Sequence, residues 1–405
     1  MSQPTPDEFR YRQPRLDDVE DVEKYRPGGY HPVDIGDEIG TGDKRFVVLH
    51  KLGFGGFSTV WLVRSCLDMR YFALKILCAD VRDMNELRIL EHLRSIGSGH
   101  PNIVALYDSF KVTGPNGEHH CFLFPVLGPN LRNWNINKDM SGALRHRVCQ
   151  QVASGIAFLH EHGICHGDLT MSNIVFKLPD IQAMSPAKLC ELLGPIETEE
   201  LRLANGSFSP HSPKGVVQTP SLSGVDQSLL LNIQIIDFGV AFFTSQPPRS
   251  LGIPFQYFPP ELCFGYRPSL GSDIWHLACV LYELHGKAFL FPGVFPIFEI
   301  VVGTIIGRLG RLPSLWKGRF KFDVYGYEEE GREQIEKEPS WWFEDRNLEA
   351  SMNSRLSEKA THLSPAQHGE FAQLLLDMLV YEPEKRLAAT DVVWRLNSTI
   401  FSNIN

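Results

Sequence analysis

The tripeptide Asp237-Phe238-Gly239, which follows a largely apolar run at residues 229–236, constrains this chain more than any other feature. Alone it indicates only a turn, because such a tripeptide often arises by chance. Its weight comes from two segments at suitable distances upstream. These are HGDLTMSN at residues 166–173 and GFGGFSTV at residues 53–60. Motifs in this order predict one site that is assembled from distant parts of the chain.

These motifs suit phosphoryl transfer, which requires positioning and charge neutralisation more than covalent chemistry. Gly53 and Gly55 leave room for a hairpin backbone to approach phosphates, and Ser58 stands where G-x-G-x-x-G would have its third glycine. Any tight hairpin has such glycines, so the segment gains its meaning from its neighbours. We predict that a nucleotide contacts Leu52, Gly53, Phe54, Gly55, Gly56, Phe57, Ser58, Thr59, Val60, Ala73, Lys75, Pro125 and Leu127.

Lys75 follows the glycine-rich segment on the next apolar strand, where it can contact the α- and β-phosphates. A lone strand lysine is usually a solvated edge residue, but its apolar neighbours argue against simple exposure. The lysine needs an acid to fix it. Glu86, in the predicted helix at residues 85–93, is the best candidate, and Glu91 is the alternative.

Polar side chains at residues 166–173 and 237 can carry the transfer itself. We predict that Asp168 is the general base or orients the substrate hydroxyl. Asn173 and Asp237 are the predicted Mg²⁺ ligands, since Mg²⁺ takes few protein oxygens and completes its shell with phosphate and water. We interpret His166 as a core histidine that orients backbone, with no part in proton transfer.

An adenine ring can be bound where the β-rich segment ends. Pro125 has no N–H but keeps its carbonyl, which can accept a hydrogen bond from the adenine amino group. The backbone N–H of Leu127 can donate to the ring. Leu52, Val60 and Ala73 are expected to enclose it.

The predicted fold is α+β, with two lobes and a cleft between them. Residues 1–43 are an N-terminal extension, residues 44–127 a small β-rich lobe, and residues 128–405 a larger helical lobe. An insertion at residues 178–231 is predicted to be partly disordered, because Pro, Ser, Thr and Gly are frequent and periodicity is weak.

Local patterns predict the individual elements. Strands are expected at residues 46–49, 60–63, 71–76, 104–107 and 121–126, and helices at residues 85–93, 144–159, 272–284 and 371–379. Ser272 and Asp273 are expected to cap the third of these helices. In the insertion, short helices are expected at residues 189–193 and 198–203, and a loop at residues 205–223.

The amino-acid composition limits which binding partners are expected. The chain has 405 residues, 43% of them hydrophobic, which suffices for a large core. Its net charge is −9, with 48 acidic and 39 basic residues, which does not favour direct contact with nucleic acid or an anionic membrane. It is compatible with a basic peptide substrate. The longest apolar stretch, residues 289–307, contains two prolines and Glu299, so we interpret it as core.

Eight cysteines are present without any C-x-x-C pair, and several lie in apolar stretches. A disulfide framework or zinc site is therefore not expected. The first 15 residues are polar and show no secretory signal. Together these features predict a reduced compartment, cytoplasmic or nuclear, and we expect a monomer.

The motifs resemble those of eukaryotic protein kinases over roughly residues 44–400. Glu261 of Pro-Pro-Glu and Arg386 resemble the structural ion pair of that family, and Asp273 resembles its aspartate that anchors the catalytic loop. The SR-protein kinase group is resembled by residues 23–33, 35–37, 52–62 and 126–131. The resemblance implies serine/threonine phosphorylation with ATP and Mg²⁺, of Arg/Ser-rich proteins in the best-known members.

Four features depart from this resemblance. Gly167 replaces the arginine of H-R-D, so no cation at that position can dock an activation-loop phosphate. Thr170 replaces the catalytic-loop lysine, a loss that can slow transfer on the order of a hundredfold or more. Residues 254–258 lack the arginine common before Pro-Pro-Glu, and the insertion is short. The last two features weaken the expectation of Arg/Ser substrates.

Three functions agree with the sequence. The first is an active serine/threonine protein kinase. The second is a pseudokinase or scaffold that binds nucleotide, motivated by Gly167 and Thr170 and opposed by the presence of Lys75, Asp168 and Asp237. The third is a small-molecule phosphotransferase. Residues 166–173 fit that class, but the Pro-Pro-Glu segment argues against it. The acidic run at residues 328–330 is interpreted as a solvated loop.

Overall fold

The structure, a computed structural model, describes residues 9–97, 99–137, 140–178, 181–220, 222, 225–293, 297–326, 337–345 and 350–398. Two compact units form. The first contains Met1–Gly99, Val104–Pro129 and Phe176–Leu230, and the second contains His100–Ile103, Asn130–Val175 and Leu231–Asn405. The acidic run at residues 328–330 lies outside the described residues.

In the described residues the strands are β1 Glu38–Thr41, β2 Lys44–Gly55, β3 Ser58–Ser65, β4 Tyr71–Leu77, β5 Asp108–Gly114, β6 Gly117–Phe124, β7 Leu127–Asn130, β8 Ile164–Cys165, β9 Ile174–Lys177, β10 Thr198–Glu200, β11 Gly215–Val217, β12 Ile233–Ile235 and β13 Phe242–Phe243. The helices of the same residues are α1 Asn85–Ser95, α2 Leu131–Asn137, α3 Gly142–Glu161, α4 Pro186–Leu193, α5 Leu270–Gly286, α6 Phe298–Leu309, α7 Phe322–Tyr325, α8 Met352–Lys359, α9 Pro365–Met378 and α10 Ala389–Leu396.

The first unit is built on an antiparallel sheet with the strand order β1-β2-β3-β4-β6-β5 among the described residues. Alternating apolar residues of these strands form one side of its core, including Val48, Trp61 and Leu74. The predicted strands at residues 46–49, 60–63 and 71–76 all belong to this sheet. The predicted strand at residues 104–107 is wrong, because the ladder with β6 begins only at Asp108. Val104 and Leu106 are buried without strand pairing.

The insertion belongs to the first unit, although the sequence places it in the helical lobe. Helix α4 forms where a helix is predicted, but residues 198–200 form strand β10 instead of helix. It pairs antiparallel with β11, which lies inside the predicted loop at residues 205–223. Long-range contacts explain the difference, since Leu201 and Val216 pack with residues of the N-terminal extension. That cluster contains Tyr11, Val22, Tyr25, Tyr30 and Cys78.

The second unit is mainly helical. Helix α3 begins after Ser141, whose side chain accepts from the N–H of Leu144, and it buries the apolar stripe that its periodicity predicts. Helix α5 is buried along most of its length and begins at Leu270 rather than at residue 272, because Ser269 and Ser272 form its capping box. No helix among the described residues has both the length and the apolar character needed to cross a bilayer.

Candidate active site

The glycine-rich hairpin joins β2 and β3 in the first unit. Gly53 pairs with Val60 and Gly55 with Ser58, so Gly56 and Phe57 form the turn. A Cβ at Gly53 would meet no atom within 4 Å, and one at Gly55 would meet only the Ser58 hydroxyl at 3.9 Å. The backbone of the hairpin is therefore open to a close ligand, as the sequence predicts. Phe57 at the tip is 71% exposed.

Two predicted nucleotide contacts of this hairpin point their side chains inward. Thr59 is fully buried, and its hydroxyl accepts a hydrogen bond from the indole N–H of Trp61 at 2.9 Å. Ser58 is also buried. At these two positions only backbone groups remain for a ligand, so their predicted contacts reduce to main-chain atoms.

Lys75 lies opposite Val60 on the neighbouring strand β4. Its Nζ is 2.7 Å from Oε1 and 2.9 Å from Oε2 of Glu86, on helix α1. Both side chains are largely buried, whereas Glu91 is exposed. The bidentate contact fixes the ammonium in one place, which is what a phosphate-binding lysine requires.

The predicted adenine contacts also belong to the first unit. Ala73 pairs with Phe124, the residue directly before Pro125, and is buried. Leu52, Val60, Pro125 and Leu127 are each partly exposed. Apolar side chains with part of their surface open are suited to covering a ring.

The catalytic loop of the second unit is held by a buried carboxylate. Asp273, on helix α5, accepts hydrogen bonds from the N–H of His166 at 2.7 Å and of Gly167 at 2.9 Å. His160 of helix α3 donates a third at 3.1 Å. Burial raises the pKa of Asp273, but the hydrogen bond from His160 and the nearby ring of His276 outweigh it and lower the pKa. The anchoring role of Asp273 is thereby visible in the geometry.

His166 orients backbone, as predicted. The N–H of Asp168 donates to His166 Nδ1 at 3.3 Å, so Nε2 carries the proton and donates to the carbonyl of Ile236 at 3.0 Å. The ring also packs against the buried Phe238. His166 thus connects the catalytic loop to the segment that carries Asp237.

Asp168 and Asn173 are directly connected. Asn173 Nδ2 donates to Asp168 Oδ2 and to the Asp168 carbonyl, both at 2.9 Å. The other carboxylate oxygen, Oδ1, is buried and has no hydrogen-bond partner among the described residues. Burial raises the pKa of Asp168, against the effect of the hydrogen bond from Asn173. One oxygen of this carboxylate is thus fixed and the other is left to accept from a ligand.

The two predicted metal ligands are brought together by the backbone. The N–H of Ile236 donates to the carbonyl of Asn173 at 2.9 Å, which places Asp237 one residue from that contact. Asp237 has a φ of 65°, a left-handed conformation that a non-glycine residue rarely adopts. Such strain is common where a side chain must point at a ligand.

The ion pair between Glu261 and Arg386 is fully buried. Arg386 Nη2 is 2.7 Å from Glu261 Oε2 and Nη1 is 2.9 Å from Oε1. The hydroxyl of Ser272 donates to Glu261 at 2.9 Å. This network fixes the Pro-Pro-Glu segment to helix α5, as the sequence resemblance implies.

The two departures in the catalytic loop have distinct structural settings. Gly167 has a φ of +79°, and a Cβ there would lie 2.8 Å from the carbonyl oxygen of Val240. Thr170 is buried. Glycine therefore relieves both strain and crowding at position 167, and position 170 supplies no cation.

Residues that the sequence analysis did not name also take part in the hydrogen bonds of the second unit. His160 completes the coordination of Asp273 by hydrogen bonds. In the same unit the hydroxyl of Tyr257 donates to Glu283, which is also 3.3 Å from Arg132 Nη1. A histidine on an amphipathic helix gives no signal of this kind, because its partner is 113 residues away.

Comparison with known proteins agrees with this geometry. The Protein kinase domain family model matches residues 46–192. The serine/threonine-protein kinase SRPK of Physarum polycephalum is 30% identical over 396 residues, which cover 92% of this chain and 89% of that protein. The serine/threonine-protein kinase spk-1 of Caenorhabditis elegans is 38% identical over 173 residues, covering 40% of this chain and 17% of that protein. The human SRSF protein kinase 3 is 34% identical over 175 residues, covering 40% and 30% respectively.

A β-rich unit with a glycine-rich hairpin and a helical unit with this catalytic loop define a protein kinase. The chain belongs to the SRPK family of serine/threonine protein kinases. Enzymes of this class phosphorylate serine and threonine in proteins with ATP, and protein kinases in general use Mg²⁺.

Proposed function

We propose that Asp168 orients the substrate hydroxyl and accepts its proton during phosphoryl transfer. The observation that supports this proposal is that one oxygen of the buried carboxylate is fixed by a hydrogen bond and the other has no partner among the described residues. Asn173 holds Oδ2, and Oδ1 is buried with no protein donor among the described residues. A buried acceptor without a partner is costly, so a donor from substrate satisfies it.

Asn173 and Asp237 are proposed to hold Mg²⁺. Asn173 uses its Nδ2 to bind Asp168, and its amide oxygen makes no hydrogen bond within the described residues. An amide oxygen and a carboxylate fit the preference of Mg²⁺ for oxygen ligands. When bound, the ion neutralises charge on the phosphates.

The first unit is proposed to bind the nucleotide. The open backbone of the hairpin contributes N–H donors to the phosphates, and Lys75, fixed by Glu86, contributes a cation. Ala73, Pro125 and Leu127 are proposed to contact the adenine. Leu52 and Val60 complete the apolar cover.

Phosphorylation of the activation segment is proposed to be unnecessary. In the family at large an arginine at position 167 docks that phosphate, whereas here glycine fills a crowded left-handed position. Asp273 holds the catalytic loop through the N–H groups of His166 and Gly167, a contact that needs no phosphate on the activation segment. Activity that persists after phosphatase treatment supports this, and activity that is lost refutes it.

The proposed substrates are basic proteins, including Arg/Ser-rich ones. A net charge of −9 favours basic partners, and one relative is named an SRSF protein kinase. We propose that the protein works as a monomer in the cytoplasm or nucleus, without direct contact with nucleic acid or membrane. Seven cysteines of the described residues are free thiols, which agrees with a reduced compartment.

A kinase assay tests these roles. The full chain is incubated with Mg²⁺-ATP and three serine-containing peptides of equal length, one Arg/Ser-rich, one Lys/Ser-rich and one acidic. We expect transfer to serine, fastest with the Arg/Ser peptide, and loss of transfer in Asp168→Ala. Nucleotide binding without transfer would instead support a pseudokinase. Equal rates on all three peptides would refute the substrate proposal while leaving the kinase assignment intact.

A further inference from the structure

Residues 20–31, the arm, precede the sheet of the first unit and contact the tip of its glycine-rich hairpin. The Tyr30 hydroxyl donates to the carbonyl of Gly55 at 2.7 Å. The Lys24 ammonium donates to the carbonyl of Gly56 at 2.6 Å. Two consecutive peptide groups of the turn are therefore bonded by side chains of the arm.

These contacts determine where the N–H groups of the turn point. A peptide group is planar and trans, so its C=O and N–H point in opposite directions. Fixing the carbonyls of Gly55 and Gly56 on the arm directs the N–H groups of Gly56 and Phe57 away from the arm. The next carbonyl, of Phe57, accepts from the N–H of Cys78 at 2.9 Å. Glycines make a hairpin free to reorient its peptides, and these contacts remove that freedom.

The arm itself is firmly attached to the unit. Lys51 of β2 forms a fully buried ion pair with Glu20, which also accepts from the hydroxyl of Tyr25. The N–H groups of Ala79 and Asp80 donate to the carbonyls of residues 29 and 28, at 3.1 and 2.8 Å. The arm is therefore held in place by the first unit, so its side chains can fix the position of the hairpin.

The two donors are also coupled to each other. The carbonyl of Lys24 accepts from the N–H of Tyr30 at 3.0 Å, closing a loop that brings both side chains to the same turn. Gly29 permits this loop, because a Cβ there would lie 1.8 Å from the Lys24 carbonyl oxygen. The Lys24 ammonium also lies 5.6 Å from the centre of the exposed Phe57 ring.

We propose that Lys24 and Tyr30 are positioning residues that preset the hairpin to receive phosphates. They act through the peptide groups at Gly55 and Gly56 and need no contact with the nucleotide. This inference rests on the proposed role of the hairpin in ATP binding. Preorganised donors bind more tightly because they are not reordered on binding.

The test uses the full chain with Tyr30→Phe, which removes one hydroxyl, and Lys24→Met, which removes one ammonium. Arg26→Met is the matched control, because Arg26 is an exposed cation of the arm whose side chain makes no hydrogen bond within the described residues. Calorimetry measures the binding of Mg²⁺-ATP and of adenosine, which has no phosphates. Each test variant is expected to bind ATP about fivefold more weakly and adenosine within about twofold of wild type.

The second readout is hydrogen exchange of residues 53–60 without nucleotide. We expect faster exchange in Tyr30→Phe and Lys24→Met, and no change in Arg26→Met. Lys24→Arg, which keeps a cation and donors, is expected to stay near wild type in both readouts and guards against a general loss of stability.

The results separate this inference from the proposed function. Unchanged ATP affinity and unchanged hairpin exchange in both test variants would overturn the inference, as would equal losses for ATP and adenosine. If the wild type binds neither Mg²⁺-ATP nor adenosine, the proposed function fails. In that case the hairpin exchange still decides whether the arm orders the turn.

Discussion

The catalytic loop and the glycine-rich hairpin are both held through their backbones, but by different kinds of group. In the second unit, Asp273 accepts two N–H bonds from the loop and belongs to a buried helix. In the first unit, Lys24 and Tyr30 donate to two carbonyls of the hairpin from an arm outside the sheet ladder. The first anchor is a side chain of a buried helix, whereas the second acts on an exposed turn.

This difference has consequences for what each anchor can tolerate. Removing Asp273 leaves buried N–H groups without partners, which costs stability as well as geometry. Removing the hydroxyl of Tyr30 or the ammonium of Lys24 leaves carbonyls at an exposed turn, which water can satisfy. The hairpin can therefore be loosened without unfolding its unit, whereas the catalytic loop cannot be released from Asp273 at low cost.

The largest expected effect comes from a change that leaves both anchors intact. Asp168→Asn keeps the shape of the side chain but removes its charge and basicity. We expect the rate of peptide phosphorylation to fall by about 10²–10⁴-fold, with the free energy of unfolding changed by less than about 1 kcal/mol. Single-turnover kinetics and urea unfolding measure the two quantities. A rate within threefold of wild type would remove Asp168 from the mechanism.

Removing the Asp273 carboxylate, the anchor of the catalytic loop, is expected to have the next largest effect. Asp273→Ala leaves the N–H groups of His166 and Gly167 unpaired and should lower the free energy of unfolding by about 3 kcal/mol or more. Asp377→Ala is a matched control, since Asp377 pairs with Arg395 at 2.5 Å but both side chains are about one-third exposed. That control should lose less than about 1 kcal/mol. Equal losses in the two variants would contradict the comparison.

In the first unit, the comparison can be tested further at Glu86, the carboxylate that pairs with Lys75. Glu86→Gln keeps an acceptor but removes the charge that holds the ammonium, so ATP affinity should fall by about tenfold. Glu91→Gln, on an exposed position of the same helix, should leave affinity unchanged. Calorimetric titration with Mg²⁺-ATP measures both. Similar ATP affinities for the two variants would show that the ion pair with Glu86 does not position Lys75 for ATP binding.

The smallest expected effect is an acid sensitivity of the arm. Burial, with a further contribution from His119, lowers the pKa of His31 to about 4. The unfolded chain therefore binds a proton more readily than the folded one between about pH 6.5 and pH 4, and stability falls as the pH drops through that window. The pKa of Asp273 is lowered too, but Asp273 is an acid and so stays ionised at pH 5, where its contribution persists.

We expect wild type to lose about 1–2 kcal/mol through His31 between pH 7 and pH 5. His31→Gln, which cannot titrate, should show a shallower dependence. Urea unfolding at the two pH values checks this, and hydrogen exchange of the arm shows where the loss occurs. Equal pH dependence in both proteins would assign the effect to other histidines.

Much of the fold and site could be predicted from residue types and spacing. The apolar run at residues 71–76 and the stripe of helix α3 gave the elements correctly, because the strand is buried on both faces and the helix on one. The strand β10 and the start of α5 were predicted wrongly. The strand depends on β11, a partner that is distant from the local pattern. The start of α5 depends on the local capping box of Ser269 and Ser272, which the prediction overlooked.

The sequence by itself indicated a protein kinase, because the segments that carry Lys75, Asp168, Asn173 and Asp237 occur in the order typical of that family. The sequence also indicated two of the anchors, Glu86 for Lys75 and Asp273 for the catalytic loop. The tertiary structure decided the remaining contacts. The unpartnered oxygen of Asp168, the bond from His160 to Asp273, and the grip of Lys24 and Tyr30 on the hairpin depend on folding. The hairpin contacts go to backbone carbonyls, which occur at every position, and so leave no pattern in residue types. His160 and Asp273 are 113 residues apart, so no local pattern reveals their contact.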